Sequence, residues 1–303
     1  MQRKYDEVLA GGIFPDEAFL SKSNNIMLKE LTSEFKDYLY KREKQYSKKT
    51  IKAYEYTSEV LKEILGKIEI KRISRSVVEK DIIPYLYENY SKSTVRHFIT
   101  HFRAIFSKAV DWGYIDRNPF SKMVPKQDKK KPRYFSQKEI EQIEKYFRKK
   151  ETPSWQFDLV FLGLNTGLRK FELYNLSWKQ VDLRKQQLII HGKGNKERIV
   201  PLNEKALKIL SKRFKRKIKA FRVFPEVTNL DSVGTAWQRM RTRTKLDIRF
   251  HDIRSTYASY YVMNGGSIMR LKEILGHEDL QTTMIYATLS PENLHKDKEI
   301  VAF

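Results

Sequence analysis

From Met27 onward the apolar positions recur at three- and four-residue steps, with Leu28, Leu31, Phe35, Tyr38 and Leu39 on one helical face. Tyr46-Ser47 ahead of Lys48-Lys49-Thr50-Ile51 marks a new helix start, and Tyr54, Val60, Leu61 and Ile64 carry that helix to a stop at Gly66. Two more helices are predicted, over Ser76 to Tyr87 and Ser93 to Trp112, the second ended by Gly113 with Pro119 beyond it. Ser93-Thr94 is placed as its cap. These helices make a small all-helical domain, residues 27–122. Ahead of it, residues 1–26 hold Gly11-Gly12, Pro15 and Ser21-Lys22-Ser23-Asn24-Asn25 with little periodicity, and read as an N-terminal extension without an assigned role.

Residues 123–133 interrupt the pattern. Pro125 to Arg133 is proline-bounded, almost wholly charged and devoid of core residues, as a linker is. A second domain, residues 134–303, opens on Ser136-Gln137-Lys138-Glu139, a capping box for a helix that carries Ile140, Ile143, Tyr146 and Phe147. Trp155 to Thr166 is an apolar helical stretch. Leu188-Ile189-Ile190-His191 and Arg198-Ile199-Val200-Pro201-Leu202 flank Gly192 to Glu197 as a β-hairpin with a long basic loop. Helical patterns return from Asn203, Asp252, Ser267 and Leu280. The fold class is therefore mainly α, with a small antiparallel β-sheet in the second domain.

Charge narrows the function. Sixty Lys and Arg against 37 acids give a net +23, and basic residues are in excess in both halves, so the expected partner is a polyanion such as nucleic acid. The 40% of hydrophobic residues is enough to build cores and excludes global disorder. The chain has no cysteine, which excludes disulfides, thiolate metal sites and a cysteine nucleophile. No apolar run approaches the roughly 18 residues of a membrane span, and the chain is expected to be soluble and cytoplasmic.

Four features of the second domain carry chemistry: Thr166-Gly167-Leu168-Arg169-Lys170-Phe171-Glu172-Leu173, Lys193 in the hairpin loop, His251-Asp252-Ile253-Arg254, and Leu275-Gly276-His277 with Tyr286 nine residues on. Singly, each reads as surface, cap or packing. Together, two Arg, a Lys, two His and a Tyr suit a phosphodiester. Guanidinium forks bind non-bridging oxygens and neutralise the charge of a pentacoordinate transition state. A lysine can protonate a leaving oxygen, an imidazole can take a proton from a hydroxyl, and surrounding cations favour phenolate at a tyrosine. Such a set supplies its own positive charge, so neither a metal nor another cofactor is called for. His97 and His101, four apart, lack a third metal ligand in the sequence.

This ordered series resembles the tyrosine recombinase (phage-type integrase) family, and the compact length is similar to its Xer subgroup. The Thr-Gly-Leu-Arg-x-x-Glu-Leu box ending at Leu173, the Gly-Lys-Gly-Asn-Lys-Glu-Arg-x-Val-Pro-Leu hairpin ending at Leu202, His-Asp-Ile-Arg, Leu-Gly-His and the final tyrosine stand in family order. The resemblance implies a helical core-binding domain followed by an α/β catalytic domain. It further implies that Arg169 and Arg254 clamp the scissile phosphate, Lys193 protonates the leaving 5′ oxygen, His251 is general acid/base and His277 bonds a non-bridging oxygen. Tyr286 would form a 3′-phosphotyrosyl link. Glu172 and Asp252 would orient the basic residues. Lys196 competes for the lysine role, and Tyr257, Tyr260 and Tyr261 are rival tyrosines whose helical spacing suits packing.

The expected function is then site-specific DNA recombination, either Xer-like resolution of chromosome dimers or integration and excision of a phage or mobile element. A non-catalytic DNA binder of the same fold is the rival. The implied partner is double-stranded DNA with paired half-sites, bound by a homo-tetramer or by a hetero-tetramer with a related recombinase, in association with the nucleoid. Lys92, Thr94, Arg96 and Arg103 are candidates for groove and phosphate contact in the first domain, Arg241 and Arg243 in the second. Lys129, Lys130 and Lys131 either cross the phosphate backbone or only connect the domains. The apolar tail end, Leu294, Ile300, Val301 and Phe303, either fills a neighbouring subunit's pocket or folds back at home.

Overall fold

The computed structural model describes residues 25–42, 44–126, 132–192, 197–215 and 220–290. Among them the chain is mainly α, with one small antiparallel sheet, as its periodicity predicts. It divides into two compact units on either side of residue 128.

The first unit is helical. Helix α1 (Leu28–Tyr40) buries Leu28, Leu31, Phe35 and Leu39, and α2 (Lys48–Leu65) starts where the Ser47 side chain accepts from the Thr50 N–H. Arg75–Val77 leads through a π-helical turn, Val78–Ile82, into α3 (Ile83–Asn89). Pro84 stands just past this widened turn and cannot donate to the helical ladder, a physical reason for the break in a segment that periodicity draws as one helix. Helix α4 (Lys92–Asp111) is capped by Ser91, whose hydroxyl accepts from Thr94 N–H, so the expected cap at Ser93-Thr94 lies inside the first turn instead. Four hydroxyl-bearing or flexible positions in a row left that boundary open to the sequence. Val95, Ile99, Phe102 and Phe106 of α4 pack with Leu31, Leu61 and Phe120 as the core.

In the second unit, Ser136 and Glu139 close the predicted capping box at the start of α5 (Gln137–Phe147). Helix α6 (Ser154–Thr166) is buried on much of its circumference and ends at Gly167. After the one-and-a-half-turn α7 (Lys170–Asn175) comes a sheet of β1 (Val181–Asp182), β2 (Gln187–His191) and β3 (Glu197–Pro201), in that order and antiparallel. β1 is too short to show as a strand in the residue pattern. Leu188 and Ile190 face inward with Val200, and the register sets Ile190 opposite Arg198. Helices α8 (Glu204–Lys215), α9 (Leu230–Thr244), α10 (Asp252–Met263), α11 (Ile268–Leu275) and α12 (Gln281–Met284) complete the unit.

Helix α9 is absent from the sequence reading. Gly234 and its run of polar and basic residues mask the buried stripe Val233, Ala236, Trp237 and Met240. Asn229 caps it by accepting from Ser232 N–H.

A buried ion pair ties α6 to α8. Arg213 donates to Asp158 at 2.9 Å, to the Val223 carbonyl and to Glu226, and the Arg213 and Asp158 side chains are only 8% and 4% exposed. Removing Asp158 leaves the buried guanidinium to Glu226 and takes away one charge-assisted bond. Asp158→Ala is therefore expected to cost about 1.5–3 kcal/mol of unfolding free energy, measured as the shift in a urea transition at constant slope.

Candidate active site

Two glycines set the local geometry. Gly167 ends α6 at φ +65°, and a Cβ there would stand 2.6 Å from the Tyr257 ring; Gly276 ends α11 at φ +63°, and a Cβ there would stand 2.7 Å from Arg198 Cδ. Both motif glycines are thus required by backbone conformation and by close approach. Tyr257 packs over the first of them. Its burial, and Tyr261 beside it, push its hydroxyl up to about 12, which disfavours phenolate.

The C-terminus of α11 organises the cations. Within the turn, Gly276 N–H bonds the Glu273 carbonyl and His277 N–H bonds the Lys272 carbonyl, a Schellman arrangement. The next three carbonyls are satisfied by arginines. Arg198 Nε donates to Ile274 O at 2.8 Å, Arg254 Nη2 to Leu275 O at 2.5 Å, and Arg169 Nη2 to Gly276 O at 3.1 Å. The negative end of the helix dipole suits all three. Arg254 also donates through Nη1 to Gly167 O at 2.8 Å, so one buried guanidinium joins both glycine turns.

Glu172 is the carboxylate among these cations. It accepts the Arg169 backbone N–H at 2.8 Å, Arg169 Nη1 at 3.0 Å and Arg198 Nη2 at 2.7 Å. Burial works to raise its pKa, but the bond from Arg198 and then the Arg169 N–H outweigh it and hold the carboxyl below its usual range. Arg254 is drawn down to about 9, first by burial and then by Arg169. Three arginines around one acid leave a site short of negative charge, which an incoming phosphate would provide.

The histidines are neutral at neutral pH. Burial, then Arg254, push His277 down to about 4, and its Nδ1 lies 2.9 Å from the Thr283 hydroxyl. His251, at the start of α10 and open to solvent, is lowered by the partial burial of its ring and by Arg254. Between the ordinary value of 6.5 and about 4, the unfolded chain binds a proton that folded His277 refuses. Stability is thus expected to fall as pH drops through that window. In His277→Gln the urea midpoint should fall less steeply over the same range.

Tyr286 is 5% exposed, packed with Ala258, Val262, Leu271 and Leu275, and its hydroxyl lies 3.5 Å from Ser255 Oγ, one residue beyond Arg254. Arg169, Glu172, Arg254, His277 and Tyr286 are thereby gathered around the α10 and α11 segments, with His251 beside Arg254. Asp252 turns elsewhere: it binds Arg249 through its backbone N–H and guanidinium, an arginine outside the expected set. Lys193 and Lys196 lie outside the described residues, as do Lys129, Lys130, Lys131 and the tail from 291 onward.

Residues 133–293, more than half of the chain, match the Phage integrase family, and residues 18–131 match the Phage integrase SAM-like domain. The chain belongs to the phage integrase family. It is a tyrosine recombinase, an enzyme that cleaves and rejoins DNA. The recombinase is 27% identical to the tyrosine recombinase XerC of Pediococcus pentosaceus, over 88% of this chain and 96% of the relative. It is 28% identical to that of Bacillus pumilus, over 84% and 90%. Its fold is similar to lambda integrase in a tetramer bound to a Holliday junction, with TM-score 0.71 and 17% identity over 91% of this chain and 85% of that one. The Tn1549 transposon integrase in complex with circular intermediate DNA gives TM-score 0.72 and 17% identity over 91% and 100%.

Several features of the recombinase site escaped the sequence reading. Arg198 stands in the quoted hairpin motif with no role given to it, although strand alternation places it on the inward face with Val200. Thr283 and Ser255 carry no motif signal. In the first unit, Lys92, Arg96 and Arg103 are four and seven residues apart and share a face of α4, while Thr94 lies off that line. The Arg96 guanidinium donates to the Pro125 carbonyl. Arg241 is engaged by Gln238 and Asp247, and Arg243 is exposed. His101, read against a metal role, has its Nδ1 2.8 Å from the Thr57 hydroxyl. No described helix is long and apolar enough to cross a membrane.

Proposed function

We propose that Arg169 and Arg254 hold the scissile phosphate of a duplex and that Tyr286 attacks its phosphorus. As the new P–O bond to Tyr286 forms, the bond to the 5′ oxygen breaks. The phenol proton passes to His251, whose lowered pKa leaves a neutral imidazole to receive it. Lys193 supplies the proton that turns the leaving oxygen into a 5′ hydroxyl. In the tautomer where Thr283 donates to Nδ1, His277 carries its proton on Nε2 and donates to a non-bridging oxygen. The 3′-phosphotyrosyl link conserves the phosphodiester, so attack by a 5′ hydroxyl from a second duplex rejoins the strand without ATP.

The observation that carries this reading is the convergence of Arg169 and Arg254 on adjacent carbonyls at one helix end, with Tyr286 one residue from Arg254 through Ser255. Lys92, Arg96 and Arg103 on α4 and Arg243 on α9 would meet phosphates and groove edges, and residues 27–122 and 134–303 would act as core-binding and catalytic domains. The enzyme would work as a tetramer on two synapsed sites with paired half-sites, of four like copies or shared with a related recombinase. Integrases of this fold on core-site DNA and on a Holliday junction support that arrangement.

The reach of the XerC alignments supports Xer-like resolution of chromosome dimers on the nucleoid. The same residues would serve excision or integration of a mobile element, the class named in the Tn1549 integrase. Denaturing cells that express the enzyme and sequencing protein-linked DNA separates them. Adducts at a chromosomal terminus locus favour the first, adducts at element ends the second, and no discrete locus counts against site-specific recombination altogether.

A further inference from the structure

The two arginines proposed to hold the phosphate share their supports with a third. Arg198 lies at an inward position of β3, and its side chain is 9% exposed against 42% for Arg169. Its Nε donates to Ile274 O and its Nη2 to Glu172. Both partners hold something else in place. Glu172 receives Arg169 twice, and Ile274 begins the run of carbonyls that receives Arg254 and Arg169. Gly276 leaves the space that the Arg198 stem fills.

We infer that Arg198 is a positioning residue for strand cleavage, fixing the Glu172 carboxylate and the Ile274–Gly276 turn so that Arg169 and Arg254 stand ready for the phosphate. The inference rests on the recombinase reading of this site. Arg198 acts through its partners, with Nε spent on Ile274 O and Nη2 on Glu172. Its effect is electrostatic as well as steric. Without it, the Glu172 carboxylate would be held by Arg169 alone, and the end of α11 would lose one of three caps. It also ties β3, the strand that follows Lys193 in the chain, to the helix whose end receives the other two arginines.

The charged groups facing Glu172 are Arg169, Arg198 and, beyond them, Arg254. Removing Arg198 leaves the burial of the carboxyl in place and takes away its largest counterweight, so Glu172 protonates at higher pH in the variant. A role in packing alone would not produce that titration.

The test uses full-length protein and a duplex oligonucleotide spanning a locus recovered by adduct sequencing. Single-turnover formation of the covalent complex is followed across pH for wild type, Arg198→Ala, Arg198→Lys, Glu172→Gln, the Arg198→Ala/Glu172→Gln pair and Tyr286→Phe. Arg198→Ala is expected to bind the duplex within about threefold of wild type and to cleave about 10- to 100-fold more slowly. Its acid-side fall should begin at higher pH than that of wild type, whose own fall follows protonation of His251, because Glu172 takes up a proton earlier in the variant. Glu172→Gln should cost little more in the Arg198→Ala background, because the two act as one unit. If Arg198→Ala fails to fold, Arg198→Lys carries the test, since an ammonium keeps the charge but cannot span both partners. Cleavage within about threefold of wild type by both Arg198 variants at every pH, or losses that simply multiply, overturns the inference. In that event an inactive Tyr286→Phe leaves the recombinase reading standing. A wild type that forms no adduct on the duplex fells that reading and this inference with it.

Discussion

Tyr286→Phe is expected to abolish covalent attachment of DNA while leaving duplex affinity within about threefold of wild type. The substitution removes one oxygen. The ring keeps its packing against Ala258, Val262, Leu271 and Leu275, and the departing hydroxyl stands at the long distance of 3.5 Å from Ser255 Oγ, so folding should be little affected. Cleavage should fall by about four orders of magnitude or more, the scale seen when a nucleophile is deleted from a catalytic unit. Tyr260→Phe is the control. Tyr260 sits edge-on to Tyr134, its hydroxyl is raised by burial, and the variant should cleave normally. A non-catalytic DNA binder would show no difference among the three proteins, because none would form adducts.

The second large effect belongs to Arg254. Arg254→Ala should slow cleavage by about 10²- to 10³-fold, as expected for loss of one preorganised donor to a developing oxyanion. It should also lower stability, because the Gly167 and Leu275 carbonyls lose their donor, at about 1–3 kcal/mol for each group left buried and unpaired. Arg254→Lys separates charge from geometry. An ammonium restores the charge but cannot join two carbonyls on separate glycine turns and still present a fork to phosphate, so its cleavage should stay near that of Arg254→Ala. Single-turnover rates and urea midpoints on the same preparations measure the two effects apart. Near-normal cleavage by Arg254→Ala would remove Arg254 from the phosphate clamp.

The residue pattern made some parts of the molecule legible and hid others for identifiable reasons. The strongly periodic helices, the Ser136–Glu139 box and the hairpin carry their signals within a few residues, and all are present. The family motifs named the groups proposed to react. What local patterns could not convey is convergence: Arg169 meets Gly276 across 107 positions and Arg198 meets Ile274 across 76, pairings that exist only once the helices pack. Arg198 was nonetheless within reach, as a charge at an inward register beside Val200 is a conflict that calls for a buried partner. Helix α9 was lost to Gly234 and to an arginine-rich surface that resembles a solvated segment. At α4, competing serines hid which one caps the helix.

The central claim is that Tyr286 becomes covalently joined to a 3′ phosphate. The most direct measurement is peptide mass spectrometry of the adduct after nuclease trimming, using wild-type protein trapped on DNA by denaturation. The expected spectrum shows a nucleotide linked through its 3′ phosphate to the peptide containing Tyr286. The same mass on a peptide carrying Tyr257, Tyr260 or Tyr261, or a link through a 5′ phosphate, would contradict it.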